Sequence, residues 1–337
     1  MSAVPTASDR LPLLEVEGLE VQFRGSSGWT TVVTDVALRV DHGSVLGLVG
    51  ESGSGKSVTC ASILRLFPAG SGRIAAGRIV FNGTDLTTLG ERQLNRVRGR
   101  DIGMIFQEPM TSLNPVLTVG EQIAEVVRRH GKVGRQAARA RAREVLDLVR
   151  IPNAATRMRQ YPHEFSGGMR QRVMIAMSLA TSPSLLIADE PTTALDVTIQ
   201  VQILDLLKDL AAELEMGILL VTHDLGVVAD MCDDVVVMYG GQVVETGSCA
   251  EIFAEPRHPY TADLMRARPS IEGRQELYVI PGRPPTPLEW PGGCRFAARC
   301  RHRIEDCEAA PVDLHHLGDD RLSRCIRVSE LELGGVR

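Results

Sequence analysis

An α/β fold built on a mostly parallel sheet is predicted by three observations. The apolar run Val45-Leu46-Gly47-Leu48-Val49 leads into Gly50-Glu51-Ser52-Gly53-Ser54-Gly55-Lys56-Ser57, and Ser62–Leu66 continue a helix that starts near Gly55. Further apolar runs, Leu185–Ala188 and Ile218–Val221, alternate with segments of helical period, as parallel strands joined by crossover helices do. Each run ends in polar residues, Asp189-Glu190 and Thr222-His223-Asp224, which places a site along the carboxyl edge of the sheet.

The octapeptide Gly50–Ser57 fits the phosphate-loop pattern G-x-x-x-x-G-K-[ST] in its required setting of strand, loop and helix. Glycines let successive backbone N–H groups turn toward phosphate oxygens, and the helix N-terminus adds partial positive charge. Gly50, Ser52, Gly53, Ser54 and Gly55, with Val58 on the first helical turn, form the nucleotide-binding segment. Lys56 is expected to reach the β- and γ-phosphates of ATP, and the Ser57 hydroxyl to bind Mg²⁺. A loop that merely turns a corner explains neither the Lys-Ser pair nor the flanking elements.

The length of 337 residues allows one large or two smaller domains, and with 44% hydrophobic but only 4% aromatic residues the core should be aliphatic. A net charge of −5 argues against a nucleic-acid binder held by charge. Lysine occurs only at Lys56, Lys132 and Lys208 while arginine is plentiful, so the phosphate loop stands out as a place that refuses the exchange. No stretch approaches the roughly 20 apolar residues of a membrane helix. Pro5, Asp9, Arg10 and Pro12 do not make a signal peptide. The expected location is cytoplasmic, unless a partner holds the chain at a membrane. Cys60, Cys232 and Cys249 read as ordinary core or surface residues; four more cysteines lie in the tail.

Residues 1–12 read as an unstructured lead-in. Leu13–Val40 alternate as antiparallel strands around a turn at Gly25–Gly28. Phe23 sits where an adenine could stack, or equally where a strand residue is buried, and Trp29 competes for the stacking role. Gly77–Leu86 form a hairpin with Asn82-Gly83 as its turn. The strand Ile102–Phe106 ends at Gln107, followed by Glu108-Pro109. A capping box at Thr118–Glu121 then opens a helix running to Gly131, and Arg135–Arg150 form a second one. Residues 108–165 therefore read as a helical insert in the α/β framework. With the helix Met169–Thr181, opened by Ser166-Gly167-Gly168, they make a helical insert of about 108–180. An amphipathic helix spans Val197–Leu214, and Val235–Met238 and Val243–Glu245 close the domain around Gly240-Gly241. Prolines cluster from Pro281 to Pro291, and few periodic segments follow Glu255. The expected division is a nucleotide-binding domain over 13–255 and a small appended extension over 256–337.

Four residues complete a hydrolytic set. Asp189 is the expected outer-shell carboxylate for Mg²⁺, and Glu190 is placed to polarise the attacking water. Gln107 can position Mg²⁺ or water, and His223 can contact the γ-phosphate. An acidic pair after a strand is common, but after a phosphate loop at this spacing chance explains it poorly.

With these motifs the sequence resembles the ABC-transporter ATPases. Gly50–Ser57 looks like Walker A, Gln107 the Q-loop and Phe165-Ser166-Gly167-Gly168-Met169 the signature motif. Leu185–Glu190 looks like Walker B, Ala194-Leu195-Asp196 the D-loop and His223 the H-loop. The resemblance implies a P-loop NTPase of ABC type, with a mostly parallel core, an antiparallel β subdomain and a helical subdomain. It also implies a second ATPase chain: each nucleotide lies between one chain's phosphate loop and the other's signature motif, where Ser166, Gly167, Gly168 and Asp196 would act.

Ile105–Pro115, Phe165–Met177 and the extension opening at His258-Pro259-Tyr260 resemble, more narrowly, the ATPases of dipeptide and oligopeptide permeases. The implied protein hydrolyses ATP at the cytoplasmic face of the membrane. Its implied partners are a second, paralogous ATPase chain, two transmembrane permease subunits and, through them, an extracytoplasmic substrate-binding protein. Import of nickel or another small solute is the alternative within the subfamily. A non-transport ABC ATPase is the alternative outside it, although no second cassette, coiled-coil or zinc insert is visible. Met169 departs from the Gln of most relatives and cannot supply that residue's amide hydrogen bonds.

Cys294, Cys300, Cys307 and Cys325 are separated by five, six and seventeen residues in a tail too short to bury its own core. A reducing compartment argues against disulfides. Free thiols, zinc and an iron–sulfur cluster all remain compatible with that spacing. The permease resemblance implies a four-iron, four-sulfur cluster. Arg295, Arg299, Arg301 and Arg303 are expected to lower the thiol pKa values and to offset the cluster's charge.

Overall fold

The computed structural model describes residues 11–335, apart from 27, 69, 108–111, 194, 268–277 and 319. Most of the lead-in, Glu108–Thr111 of the permease-like stretch and Ala194 of the D-loop therefore lie outside the described residues. In chain order the strands are β1 (Leu14–Gly25), β2 (Gly28–Val40), β3 (Val45–Val49), β4 (Gly72–Phe81), β5 (Thr84–Asp85) and β6 (Ile102–Ile105). They continue with β7 (Leu185–Asp189), β8 (Gly217–Thr222), β9 (Asp234–Tyr239), β10 (Gln242–Ser248), β11 (His315–His316) and β12 (Leu322–Ser323). The chain forms two compact units, one of residues 1–40, 45–87 and 221–337 and the other of 41–44 and 88–220.

The first unit holds an antiparallel sheet in the order β2-β1-β4-β5. Leu14 and Val16, then Leu19 and Val21, of β1 are buried, the alternation being broken by a register shift between Val16 and Leu19. The strand β4 begins at Gly72, five residues before the expected Gly77. Gly77 has φ +93° within the strand, and a Cβ there would lie 2.6 Å from the carbonyl oxygens of Glu17 and Gly18. It is thus a close crossing inside a strand and not a strand start. Asn82 and Gly83 both take positive φ, as the hairpin turn requires.

The same unit contains β3 paired parallel to β9, with β10 antiparallel to β9. The short strands β12 and β11 extend this row, so the C-terminal segment adds strands where the sequence suggested little regular structure. A further helix, Pro259–Arg266, was also not evident from periodicity. Glu245 of β10, fully buried, explains how the segment is held. Its carboxylate accepts from the N–H groups of Arg257 at 2.6 Å and His258 at 2.9 Å, and Arg321 pairs with it at 3.4 Å. Arg324 donates to the carbonyls of Val243 and Val312 and to Asp35 of β2, each at 2.8 Å. Tyr239, Tyr260 and Phe296 pack tilted and edge-to-face as an aromatic core, with ring centroids 4.6–5.4 Å apart.

The second unit holds β8, β7 and β6 side by side, with β6 and β7 parallel. The helices Val119–Gly131, Arg135–Leu148, Gly167–Leu179 and Val197–Leu214 accompany them, close to the expected spans. Thr118 and Glu121 form the expected reciprocal cap. Gly103 lets the helix Gly167–Leu179 approach β6: a Cβ there would lie 2.8 Å from the Ser178 carbonyl oxygen.

His258 caps the helix Pro259–Arg266, its Nδ1 accepting from the Tyr260 N–H at 3.1 Å. Burial, aided by the nearby Arg324 cation, pushes its pKa from 6.5 down to about 3. Between these values the unfolded chain binds a proton that the folded one refuses, so this group's stabilisation is present above about pH 6.5 and is lost as pH falls toward 3. The variant H258N keeps a capping acceptor without the titration. Its melting temperature should therefore fall less steeply between pH 6.5 and pH 4 than that of the wild type, and parallel curves would refute this account.

Candidate nucleotide site

The first unit carries the phosphate loop. All five residues of β3 are buried, and the helix Lys56–Ile63 begins directly after Gly55, which takes φ +105° as its N-cap. The helix stops at Ile63 instead of running on to Leu66. Arg65 turns left-handed at φ +47° and the Leu66 N–H returns to the Ala61 carbonyl at 2.8 Å, a Schellman ending without its usual glycine. Gly50 has φ +150°, and a Cβ there would stand 2.2 Å from the Met238 carbonyl oxygen. Ser54 accepts from the Gly241 N–H at 2.9 Å, so the turn after β9 braces the loop. Lys56, 6% exposed, donates to the carbonyls of Gly50 at 2.7 Å and Glu51 at 3.0 Å. Ser52, Gly53 and Ser57 are exposed and Val58 is half-buried. The loop thus exposes Ser52, Gly53 and Ser57, with the buried Lys56 ammonium held against its carbonyls.

Phe23 is half-buried with its ring edge-on to Phe67 at 5.5 Å. Trp29 is more exposed, and the Arg73 guanidinium lies 4.3 Å over its ring. His223 is exposed at the end of β8, and the following Asp224 caps the helix Leu225–Met231 through the Gly226 N–H at 2.7 Å.

The second unit carries the acidic pair. Asp189 ends the wholly buried β7 and is itself 6% exposed. Glu190 follows with φ +48°, a conformation a non-glycine residue seldom adopts. Gln107 Nε2 and the Thr193 hydroxyl both donate to Glu190 Oε2, at 3.0 and 2.8 Å. The structure therefore brings Gln107 and Glu190 together and adds Thr193, which sequence reasoning missed. Two donors on one oxygen restrict the direction of the carboxylate.

Ser166 caps the helix Gly167–Leu179 by accepting from the Met169 N–H at 3.4 Å. Gly168 cannot be enlarged without moving Ile199, whose Cγ2 would lie 2.5 Å from a new Cβ. Asp196 caps the helix Val197–Leu214 by accepting from the Ile199 N–H at 3.0 Å.

Two long matches bear on what these parts serve. Residues 33–193 match the ABC transporter family model, and residues 244–307 match the model described as "Oligopeptide/dipeptide transporter, C-terminal region". The chain is 53% identical over 302 residues to the oligopeptide transport ATP-binding protein OppD of Bacillus subtilis (strain 168), covering 89% of this chain and 84% of that one. It belongs to the ABC transporter family. OppD of Haemophilus influenzae is 50% identical over 301 residues, covering 89% of this chain and 93% of the relative. A solved dimeric ATP-binding cassette with ADP and Pi bound, in a post-hydrolysis state, superposes with a TM-score of 0.62 at 26% identity, over 70% of this chain and 98% of that one. The protein is an ABC ATPase, and its nucleotide is ATP with Mg²⁺.

The tail cysteines line one pocket together with Phe296 and His302, and none forms a disulfide. Among the described residues no group of three or more His, Cys, Asp or Glu is arranged to hold a metal ion. The expectation that arginines lower the thiol pKa values is overturned. Burial pushes Cys294, Cys300 and Cys325 up to about 11. The arginines are engaged elsewhere: Arg295 with Trp290 and the Gly240 carbonyl, Arg299 with Glu51, Arg301 with Asp263 and Arg303 with Glu308.

Gly50→Ala should disrupt this loop, since it adds backbone strain of about 1–3 kcal/mol to a steric overlap. The expected loss of affinity for a fluorescent ATP analogue is about ten- to hundredfold, at about 1.4 kcal/mol per decade. Affinity within twofold of wild type in a folded variant would contradict the packing argument.

Proposed function

We propose that this chain is the ATP-hydrolysing subunit of an importer for di- and oligopeptides. The observation that carries the reading is the order of the two family matches, the ABC transporter model followed by the oligopeptide/dipeptide C-terminal model. The names of the Bacillus and Haemophilus relatives agree with it. On this reading residues 13–255 form the ATPase domain and 256–337 its permease-type extension. The chain works at the cytoplasmic face of the membrane, bound to two permease subunits. A second ATPase chain completes each nucleotide site, a view supported by the dimeric state of the superposed cassette. An extracytoplasmic binding protein delivers the peptide. Among the described residues, no helix is long and apolar enough to cross a membrane.

The residue roles follow from chemistry at each position. Backbone N–H groups of the loop other than that of Glu51, which Tyr260 holds, and the Lys56 ammonium take the phosphates, and Ser57 and Gln107 take Mg²⁺, with Asp189 in its outer shell. To do so, Lys56 exchanges its loop carbonyls for phosphate oxygens. Glu190, held by Gln107 and Thr193, orients water for in-line attack, and His223 contacts the γ-phosphate. Ser166, Gly167, Gly168 and Asp196 serve the nucleotide bound to the partner chain. Phe23 is the assigned adenine contact, supported by the ring of Trp29 being covered by Arg73.

In the assembled complex, with the partner chain's own site inactivated, Glu190→Gln should retain ATP binding. Its turnover should fall by about a hundred- to ten-thousandfold, the range for a lost general base. Near-wild-type turnover would remove Glu190 from that role.

We further infer that Cys294, Cys300, Cys307 and Cys325 hold a four-iron, four-sulfur cluster, supported by their sharing one pocket. The cluster would supply a cross-link to a segment with little core of its own. The expected result is about four irons per chain after anaerobic purification, with loss of iron and of the extension's protease resistance in Cys300→Ser. Stoichiometric zinc without iron, or four freely alkylated thiols, would overturn the assignment.

A further inference from the structure

Glu51 occupies a position that the phosphate-loop pattern leaves open, yet its N–H, its carbonyl and its carboxylate are all engaged. Its N–H donates to the Tyr260 hydroxyl at 2.8 Å. Its carbonyl accepts from Lys56 Nζ at 3.0 Å and from the Ser54 N–H at 3.2 Å. Its carboxylate meets the Arg299 guanidinium in a two-pronged pair, at 2.6 and 3.1 Å. Two of these three attachments come from the C-terminal segment, more than 200 positions away in sequence.

Arg299 is well fixed for that task. Its side chain is 5% exposed, against 27% for Glu51. It also donates to the carbonyls of Pro281 at 2.8 Å and Ile280 at 3.2 Å, so its own direction is set within the extension. A two-pronged arginine–carboxylate pair constrains orientation as well as distance. Were the contact only an anchor for the tail, the carboxylate of Glu51 would suffice. Here the backbone N–H of the same residue is held as well, and the carbonyl of the same residue is what Lys56 leaves when it turns to a phosphate.

We propose that Arg299 is a positioning residue for ATP binding, holding the phosphate loop through Glu51 so that the loop is shaped for phosphate before nucleotide arrives. This rests on the assignment of Gly50–Ser57 to phosphate binding. Without the pair, the loop samples other shapes, and nucleotide affinity drops by the fraction of time it is misshapen.

The test compares wild type, R299Q, R299K, E51Q and the double variant E51Q/R299Q as full-length chains. Affinity for a fluorescent ATP analogue with Mg²⁺ and melting temperature are both measured. R299Q and E51Q should each bind about tenfold more weakly, of the size seen for residues joined in one network. The double variant should be no worse than either single one, and R299K, which keeps the charge, should recover part of the loss. A lowered melting temperature with affinity unchanged would reduce Arg299 to a tail anchor and overturn the proposal. Additive losses in the double variant would do the same. Should R299Q fail to fold, E51Q alters the more exposed partner and carries the same measurement. Lys56→Ala is the control on the underlying assignment: unchanged binding there would overturn the phosphate loop itself, and this proposal with it.

Discussion

The close approach of Gly50 to the Met238 carbonyl is the constraint on which the first unit's chemistry depends. It arises because β3 and β9 pair in parallel, which brings the last residues of β9 beside the point where β3 breaks into the loop. Only a residue without a Cβ can leave the strand there. Once it does, the Gly241 N–H meets Ser54, the helix opens at Gly55, and Lys56 lies under the loop. The shape of the loop is thus a by-product of sheet pairing, and Gly50 is required by packing whatever the loop binds.

Much of this was legible in the sequence because it is local. The loop, the caps at Thr118 and Ser166, and the helix Val197–Leu214 all announce themselves within a few residues. The misreadings have equally physical causes. Arg65 ends its helix in a left-handed turn that glycine usually marks, so apolar Leu64 and Leu66 suggested continuation. Gly77 looked like a boundary because its reason for being glycine, two carbonyls of β1, lies on another strand.

The site itself was half readable. Gln107 and Glu190 were identifiable by type and place, and a hydrogen bond joins them. Thr193 carried no signal, since a threonine in a Thr-Thr pair after a strand has no distinctive spacing. The pair of Glu51 with Arg299 could not be found from sequence at all, because Glu51 fills a position the motif leaves open, Arg299 belongs to none, and 248 positions separate them. The arginines near the cysteines misled for the converse reason: nearness in sequence suggested electrostatic support for thiolates, whereas each guanidinium is turned to a carboxylate, a carbonyl or an aromatic ring.

The backbone at Glu190 has a consequence for how this family of chemistry could be redesigned. A left-handed residue is tolerated best as glycine or asparagine, so the local fold favours residues that cannot act as a base. On the role proposed for Glu190, selection for thermal tolerance alone would drift this position toward inactivity. An engineer ranking substitutions by melting temperature would meet a gain at the residue proposed to orient the attacking water.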